Sequence, residues 1–171
     1  MVIKITPYSQ AFPDSDMGSN SNRCHLFAQA GIEYLRACAA ITTSCETYGF
    51  NLHVELPLMH QAIELLVKAH AARSDRDFNP KKYSHRTGEI IRDYAARVPF
   101  FSLLLTDSNA MDLIAGLEAS WLSLRYAESI VEYTGDDYNS AGLLANSLSD
   151  EYFRLTGVRL QSHHFQHPNE N

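Results

Sequence analysis

The segment from Leu58 to His70 reads LMHQAIELLVKAH, and it decides the fold class of this chain. Its apolar residues recur at steps of three and four, which is the period of an α-helix. They form one continuous face: Met59, Ala62, Ile63, Leu66, Val67 and His70. Because Leu58, Leu65 and Ala69 extend that face, the predicted helix is apolar around much of its circumference. We therefore place it at the centre of a helical bundle.

Similar periodic segments on both sides of this one predict further helices. The first begins near Ser21 or Asn22, and the third runs from about Ser84 to Arg97. The fourth follows the potential caps at 107–109, and the last ends before Gly157. The run 100–105 is a candidate short helix under the bundle, and Pro57 is expected in the first turn of the central helix. The predicted fold is all-α, an up-and-down bundle of about five helices with a short N-terminal arm.

The composition is that of a globular protein with a single domain. The chain has 171 residues, of which 45% are hydrophobic and 20% are charged. We predict an arm over 1–23, the bundle over 24–157 and a polar tail over 158–171. Three cysteines with no paired spacing argue against a disulfide framework. With no secretory signal and no apolar run of membrane-spanning length, the expected location is the cytoplasm, without a membrane partner.

The charge is distributed unevenly along the chain. The formal net charge of −6 disfavours general coating of nucleic acid. Residues 73–97 nevertheless hold seven basic and four acidic side chains, whereas residues 107–171 hold three basic and ten acidic ones. The segment 73–97 is therefore either a local basic patch or an ordinary solvated surface with salt bridges.

Four polar residues, in three separate segments, form a candidate ligand site. Glu64 and Lys68 are four residues apart, in the favourable order for an ion pair along a helix that is otherwise apolar. They either reach water at the rim of the core or line a polar pocket between helices. His85 near a helix N-terminus favours its neutral form, although a lone histidine is equally a cap or a packing residue. Arg125 can bind a carboxylate or phosphate, or pair with nearby acids.

Together these segments resemble the HEPN superfamily of helical bundles over about residues 24–156. The counterparts of its motifs are Glu64-Leu65-Leu66-Val67-Lys68-Ala69, Ser84-His85-Arg86 and Leu124-Arg125-Tyr126. The chain departs from the family pattern after His85, where Arg-Thr replaces Asp-Leu, and after Tyr126, where Ala replaces Pro. The resemblance implies a homodimer that binds a nucleotide or RNA, or that pairs with a nucleotidyltransferase-type partner protein. The residues it points to are Glu64, Lys68, His85, Arg125 and Tyr126.

The resemblance does not imply a working ribonuclease. Catalytic members carry Arg, then four to six residues, then His on a helix of the bundle. The only such spacing here is Arg159 to His164, in the predicted tail, and we interpret it as a chance match. The favoured hypothesis is a non-catalytic binding or interaction module in a defence or toxin–antitoxin setting. The alternatives are a metal-independent endoribonuclease with a non-standard active site, and a structural subunit that docks a partner through 100–105.

No cofactor or metal site is expected. Three histidines of the tail lie close together in sequence, at 163, 164 and 167, but we do not interpret them as a native metal site. His60 and Glu64 are four residues apart, without the second histidine of a helical zinc motif. The sequence also lacks a glycine-rich phosphate loop.

Overall fold

The computed structural model describes residues 20–45, 52–126 and 135–158. These ranges contain seven α-helices and no β-strand, which confirms the all-α prediction for the described part of the chain. The helices are α1 (Asn20–Cys45), α2 (Leu52–Ser74), α3 (Pro80–Tyr83), α4 (Thr87–Tyr94), α5 (Pro99–Thr106), α6 (Ser108–Tyr126) and α7 (Gly135–Thr156).

Helix α2 lies at the centre, as the sequence predicts. It contacts α1, α4, α6 and α7, and its side chains at 62, 63, 66 and 67 are almost completely buried. Burial on several sides explains why the apolar residues of α2 cover more than one stripe of its surface.

Gly31 lets α1 approach α2 closely. A Cβ atom at this position would lie 2.9 Å from Leu66 Cγ and 3.1 Å from the carbonyl oxygen of Ala62. Both distances are shorter than ordinary van der Waals contacts, so the absence of a side chain sets the separation of the two helices.

The number of helices differs from the expected five because the region between α2 and α6 is divided into short elements. The prediction of one helix from Ser84 to Arg97 was wrong in its extent. The structure has the shorter helix α4 there, and a separate turn of helix, α3, precedes it. Ser84 has a positive φ of 51°, which ends α3 and prevents a continuous helix. The run 100–105 is helical as predicted, within α5.

The helix ends confirm some of the sequence signals and contradict one. Asp107 Oδ1 accepts a hydrogen bond from the Ala110 amide at 3.2 Å and so caps α6. Gly157, at φ 67°, ends α7 and donates its amide to the carbonyl of Phe153 at 2.8 Å. The prediction for Pro57 was wrong, because α2 begins earlier, at Leu52, and Pro57 lies inside it. Helix α1 begins at Asn20, so residues 20–23 are helical rather than part of the arm.

An aromatic cluster holds the basic segment together, and Phe27 of α1 meets its Phe78 edge-on at 6.5 Å between ring centroids. The rings of Phe78 and Tyr83 stack with centroids 5.8 Å apart, and Tyr94 meets Phe78 edge-on at 5.5 Å. The Tyr83 hydroxyl donates to Asp93 at 2.8 Å, and the Tyr94 hydroxyl donates to a carboxylate oxygen of Asp75 at 3.0 Å. These contacts position α3 and the turn that follows it.

Among the described residues, no helix is both long and apolar enough to span a lipid bilayer.

Candidate functional site

The candidate site centres on the carboxylate of Glu64, in the middle of α2. The side chain is only 2% exposed, yet both of its oxygens have partners. Oε1 accepts a hydrogen bond from Lys68 Nζ, one turn along the same helix. Oε2 lies 2.8 Å from Nδ1 of His85, which comes from the turn before α4. The structure thus brings together three of the residues that the sequence singles out: Lys68 compensates the buried charge, and His85 supplies a hydrogen bond to its other oxygen.

Lys68 ties α2 to the turn between α3 and α4. Besides its ion pair with Glu64, its ammonium group donates to the carbonyl of Ser84 at 2.8 Å. Ser84 is the residue with the positive φ, a backbone conformation that is costly for a residue with a side chain. The lysine therefore stabilises a strained turn, and its charge is largely paired with groups inside the protein.

His85 is the exposed member of the cluster, with 41% of its side chain accessible. A carboxylate paired with lysine can only accept, so Nδ1 carries the proton that is donated to Glu64. In the neutral ring, Nε2 is then left with its lone pair, and no residue in the described ranges forms a hydrogen bond with it. The contact with Glu64 consequently sets both the orientation and the tautomer of this imidazole.

Trp121 of α6 joins His85 to a second, buried histidine. Its indole lies 5.2 Å from the ring of His85 and 5.2 Å from the ring of His60, measured between centroids. His60 lies one turn before Glu64 in α2 and is 2% exposed. Burial lowers the pKa of His60 to about 4, although the nearby Glu64 carboxylate acts in the opposite direction. Neither ring nitrogen of His60 has a hydrogen-bond partner among the described residues, and the ring is neutral at pH 7.

The N-terminus of α4 is occupied by a side chain of the protein itself. Glu118 of α6 accepts a hydrogen bond from the Gly88 amide at 2.6 Å. Partial burial raises the pKa of Glu118, while this amide hydrogen bond and the charge of Arg92 oppose the change. Since a carboxylate already uses the free amides of the first turn, this helix end is not available to a phosphate.

The basic side chains that flank His85 are exposed and only partly neutralised. Lys82 pairs with Asp93 at 3.4 Å, and Arg86 pairs with Glu89 at 2.8 Å. Lys81 is exposed and has no ion pair among the residues that the structure describes. All three lie within one short stretch of chain around the turn that Lys68 holds. The segment therefore combines internal salt bridges with positive charge that faces solvent.

The remaining predicted residues lie outside the described side chains. Arg125 and Tyr126 belong to the last turn of α6, where only the backbone is described. The pair Arg159 and His164, and the histidines of the tail, lie outside the described residues altogether.

Sequence reasoning missed His60, Trp121 and Glu118 as members of this region. His60 lies one turn before Glu64 on the same helix, and this spacing could have placed it in the site. From the sequence alone, the spacing was tested only against a zinc motif. Trp121 and Glu118 come from α6, about thirty residues further along the chain than His85. No sequence spacing predicts that contact, because it depends on how α6 packs against α2 and α4.

Comparison with known proteins adds no relative: no family model matches the chain, and neither a curated protein nor a solved structure does.

Proposed function

We propose that this protein is a non-catalytic, HEPN-like binding module that holds the phosphates of a nucleotide or a short RNA beside His85. The observation that supports this best is the buried Glu64–Lys68 pair, which fixes the turn carrying His85. The exposed lysine and arginine side chains can bind the anionic part of a ligand, and the fixed imidazole between them can bind its ring. The resemblance of the three sequence motifs to HEPN proteins supports the same assignment.

Each part of the site has a separate role in this proposal. Lys81, Lys82 and Arg86 attract and position phosphate groups, which is the part of nucleic-acid binding that does not depend on sequence. His85 and the partly exposed Trp121 provide aromatic surface for a base. Arg125 follows Trp121 by one turn of α6 and Tyr126 is adjacent, so we include both as ligand-binding residues. Glu64 and Lys68 act through the turn rather than on the ligand.

The direct test is fluorescence anisotropy with a short, fluorescein-labelled single-stranded RNA. We expect His85→Ala and Lys81→Ala each to weaken binding by about three- to tenfold, because each removes a contact with the ligand. Arg154→Ala is the matched control, since this exposed arginine of α7 pairs with Glu151 far along the chain from the site. Circular dichroism should show the same helix content in all variants. Equal losses in all three variants, or none in His85→Ala, would contradict the proposal.

One observation favours the alternative, a metal-independent endoribonuclease. A carboxylate that holds Nδ1 of a histidine and leaves Nε2 unpaired is the arrangement of a general base. The test is incubation of labelled RNA with the protein in excess chelator, beside His85→Ala and His164→Ala. Cleavage that His85→Ala or His164→Ala abolishes would replace the binding module with this enzyme.

The resemblance also supports proposals about assembly and setting. We propose a homodimer, a nucleotidyltransferase-type partner and a role in defence or in a toxin–antitoxin pair. From the helical pattern and the lack of a membrane-spanning run in the sequence, we also propose an up-and-down arrangement of the bundle and a cytoplasmic location. Size-exclusion chromatography with light scattering tests the dimer, and a monomer at micromolar concentration would count against it.

A further inference from the structure

A groove of about 940 Å³ lies between α5, α6 and α7. Its apolar lining comes from all three helices and includes Phe100, Leu104, Leu113 and Leu144. Leu104 and Leu144 are buried, whereas Phe100 and Leu113 are half-buried. The described residues of the site around His85 are not among the residues that line the groove, so it is a separate feature of the molecule.

The groove is long enough for about three turns of helix. On α6 its lining runs from Asn109 to Ser120, and on α7 it runs from Asp137 to Ser147. At 1.5 Å per residue each wall extends for roughly 15 Å. Small residues such as Gly116 and Ala119 recur along the α6 wall, and they allow a guest backbone to approach closely.

One large apolar side chain at the groove is strongly exposed. Leu143 lines the α7 wall, and 69% of the residue is accessible to solvent. Leu143 extends the apolar surface of the groove into solvent. Exposed apolar surface of this kind is typical of a binding site for another chain.

The charge at the groove has a single sign. Asp107, Asp112 and Asp137 contribute to its lining, and the described lining residues include no lysine or arginine. This fits the excess of acidic over basic residues in 107–171. An isologous contact with a second copy would place the same acidic residues against each other, which is unfavourable. A positively charged guest is complementary.

We propose that this groove binds an amphipathic helix of a partner protein, about three turns long, with an apolar stripe flanked by lysine or arginine. Its apolar face packs on Phe100, Leu113 and Leu143, and its basic flanks face Asp107 and Asp112. This is the helix-in-groove mode of recognition, in which residues at helical spacing supply the anchors. The proposal does not depend on the function assigned to the site around His85.

The test uses a labelled synthetic peptide of leucine and lysine in an amphipathic helical order, with a scrambled peptide of the same composition as reference. Anisotropy is measured with the full chain. We expect the ordered peptide to bind at least about tenfold more tightly than the scrambled one, because only the ordered peptide presents a continuous apolar stripe. Leu143→Asp should remove most of that difference. Asp112→Lys should weaken binding and reduce its salt dependence.

Leu103→Asp is the matched control, because Leu103 is 65% exposed but does not line the groove. It should bind the ordered peptide as the unmodified protein does. Both leucines are surface residues, so neither change should unfold the chain, and circular dichroism checks this. Equal binding of the two peptides, or unchanged binding by Leu143→Asp, overturns the proposal. A dimer that Leu143→Asp dissociates also overturns it, because the occupant would then be a second copy.

Discussion

Acidification should destabilise this protein through His60, and the size of the effect follows from its surroundings. The ring is almost fully buried, has no hydrogen-bond partner in the part of the chain that the structure describes, and has a pKa of about 4. In the unfolded chain the pKa of a histidine is about 6.5. Between these two values the unfolded state takes up a proton that the folded state excludes. The stabilisation is thus fully present above about pH 6.5 and is lost as the pH falls towards about 4.

The magnitude is set by the gap between the two pKa values. At about 1.36 kcal/mol per pKa unit, a change from 6.5 to about 4 corresponds to roughly 3 kcal/mol of unfolding free energy. Burial lowers the pKa of His70 as well, so this residue also contributes to the loss of stability on acidification. The contribution of His60 therefore has to be isolated by a variant.

His60→Phe provides that comparison. Phenylalanine keeps an aromatic ring against Trp121 and removes both unpaired nitrogens, so the variant should be nearly as stable as the unmodified protein at neutral pH. Urea unfolding followed by circular dichroism is measured at neutral pH and at about pH 4. The unmodified protein should lose about 3 kcal/mol more than the variant. Equal losses in the two proteins would show that His60 is accessible to protons in the folded state, contrary to this prediction.

Two further predictions concern stability at neutral pH. Lys68→Met should destabilise the protein by about 3 to 5 kcal/mol, because it leaves the Glu64 carboxylate buried without its lysine and frees the Ser84 carbonyl. In Lys68→Met combined with Glu64→Gln much of that loss should be recovered, and a double variant as unstable as the single one would count against a buried ion pair. Gly31→Ala should cost about 1 to 3 kcal/mol because its Cβ would meet Leu66 and the Ala62 carbonyl. The control Gly142→Ala, whose Cβ has no neighbour closer than 3.9 Å, should be neutral or stabilising, and thermal unfolding of both variants measures the difference.

The long helices were predictable because their residues repeat with the helical period and end in recognisable caps. In α7 the buried positions at 141, 145, 148 and 152 follow steps of three and four, and Gly157 ends the helix by a local backbone preference. Pro57 was placed wrongly because proline is compatible with a helix start, and packing of the preceding turn extends α2 beyond it. A proline in the sequence does not show whether the residues before it also join the helix, because that depends on their tertiary contacts.

The site was predictable only where its members share a helix. Glu64 and Lys68 follow from a spacing of four within α2. The turn at Ser84 was not predictable, because its unusual backbone conformation is held by Lys68, sixteen residues earlier in the chain. The contacts of Trp121 with His60 and His85 likewise depend on the packing of α6. Short-range sequence patterns do not predict such contacts between residues that are far apart in the chain.

In the proposed site, buried Glu64 holds His85 at the surface for a ligand. Nitrogen NMR of histidine-labelled protein tests it most directly, with resonances assigned by His85→Gln and followed during addition of a short RNA. We expect a His85 ring protonated on Nδ1 in the free protein, a change of tautomer in Glu64→Gln, and a shift of the Nε2 resonance on RNA addition. A ring protonated on Nε2, or resonances that saturating RNA leaves unchanged, would contradict it.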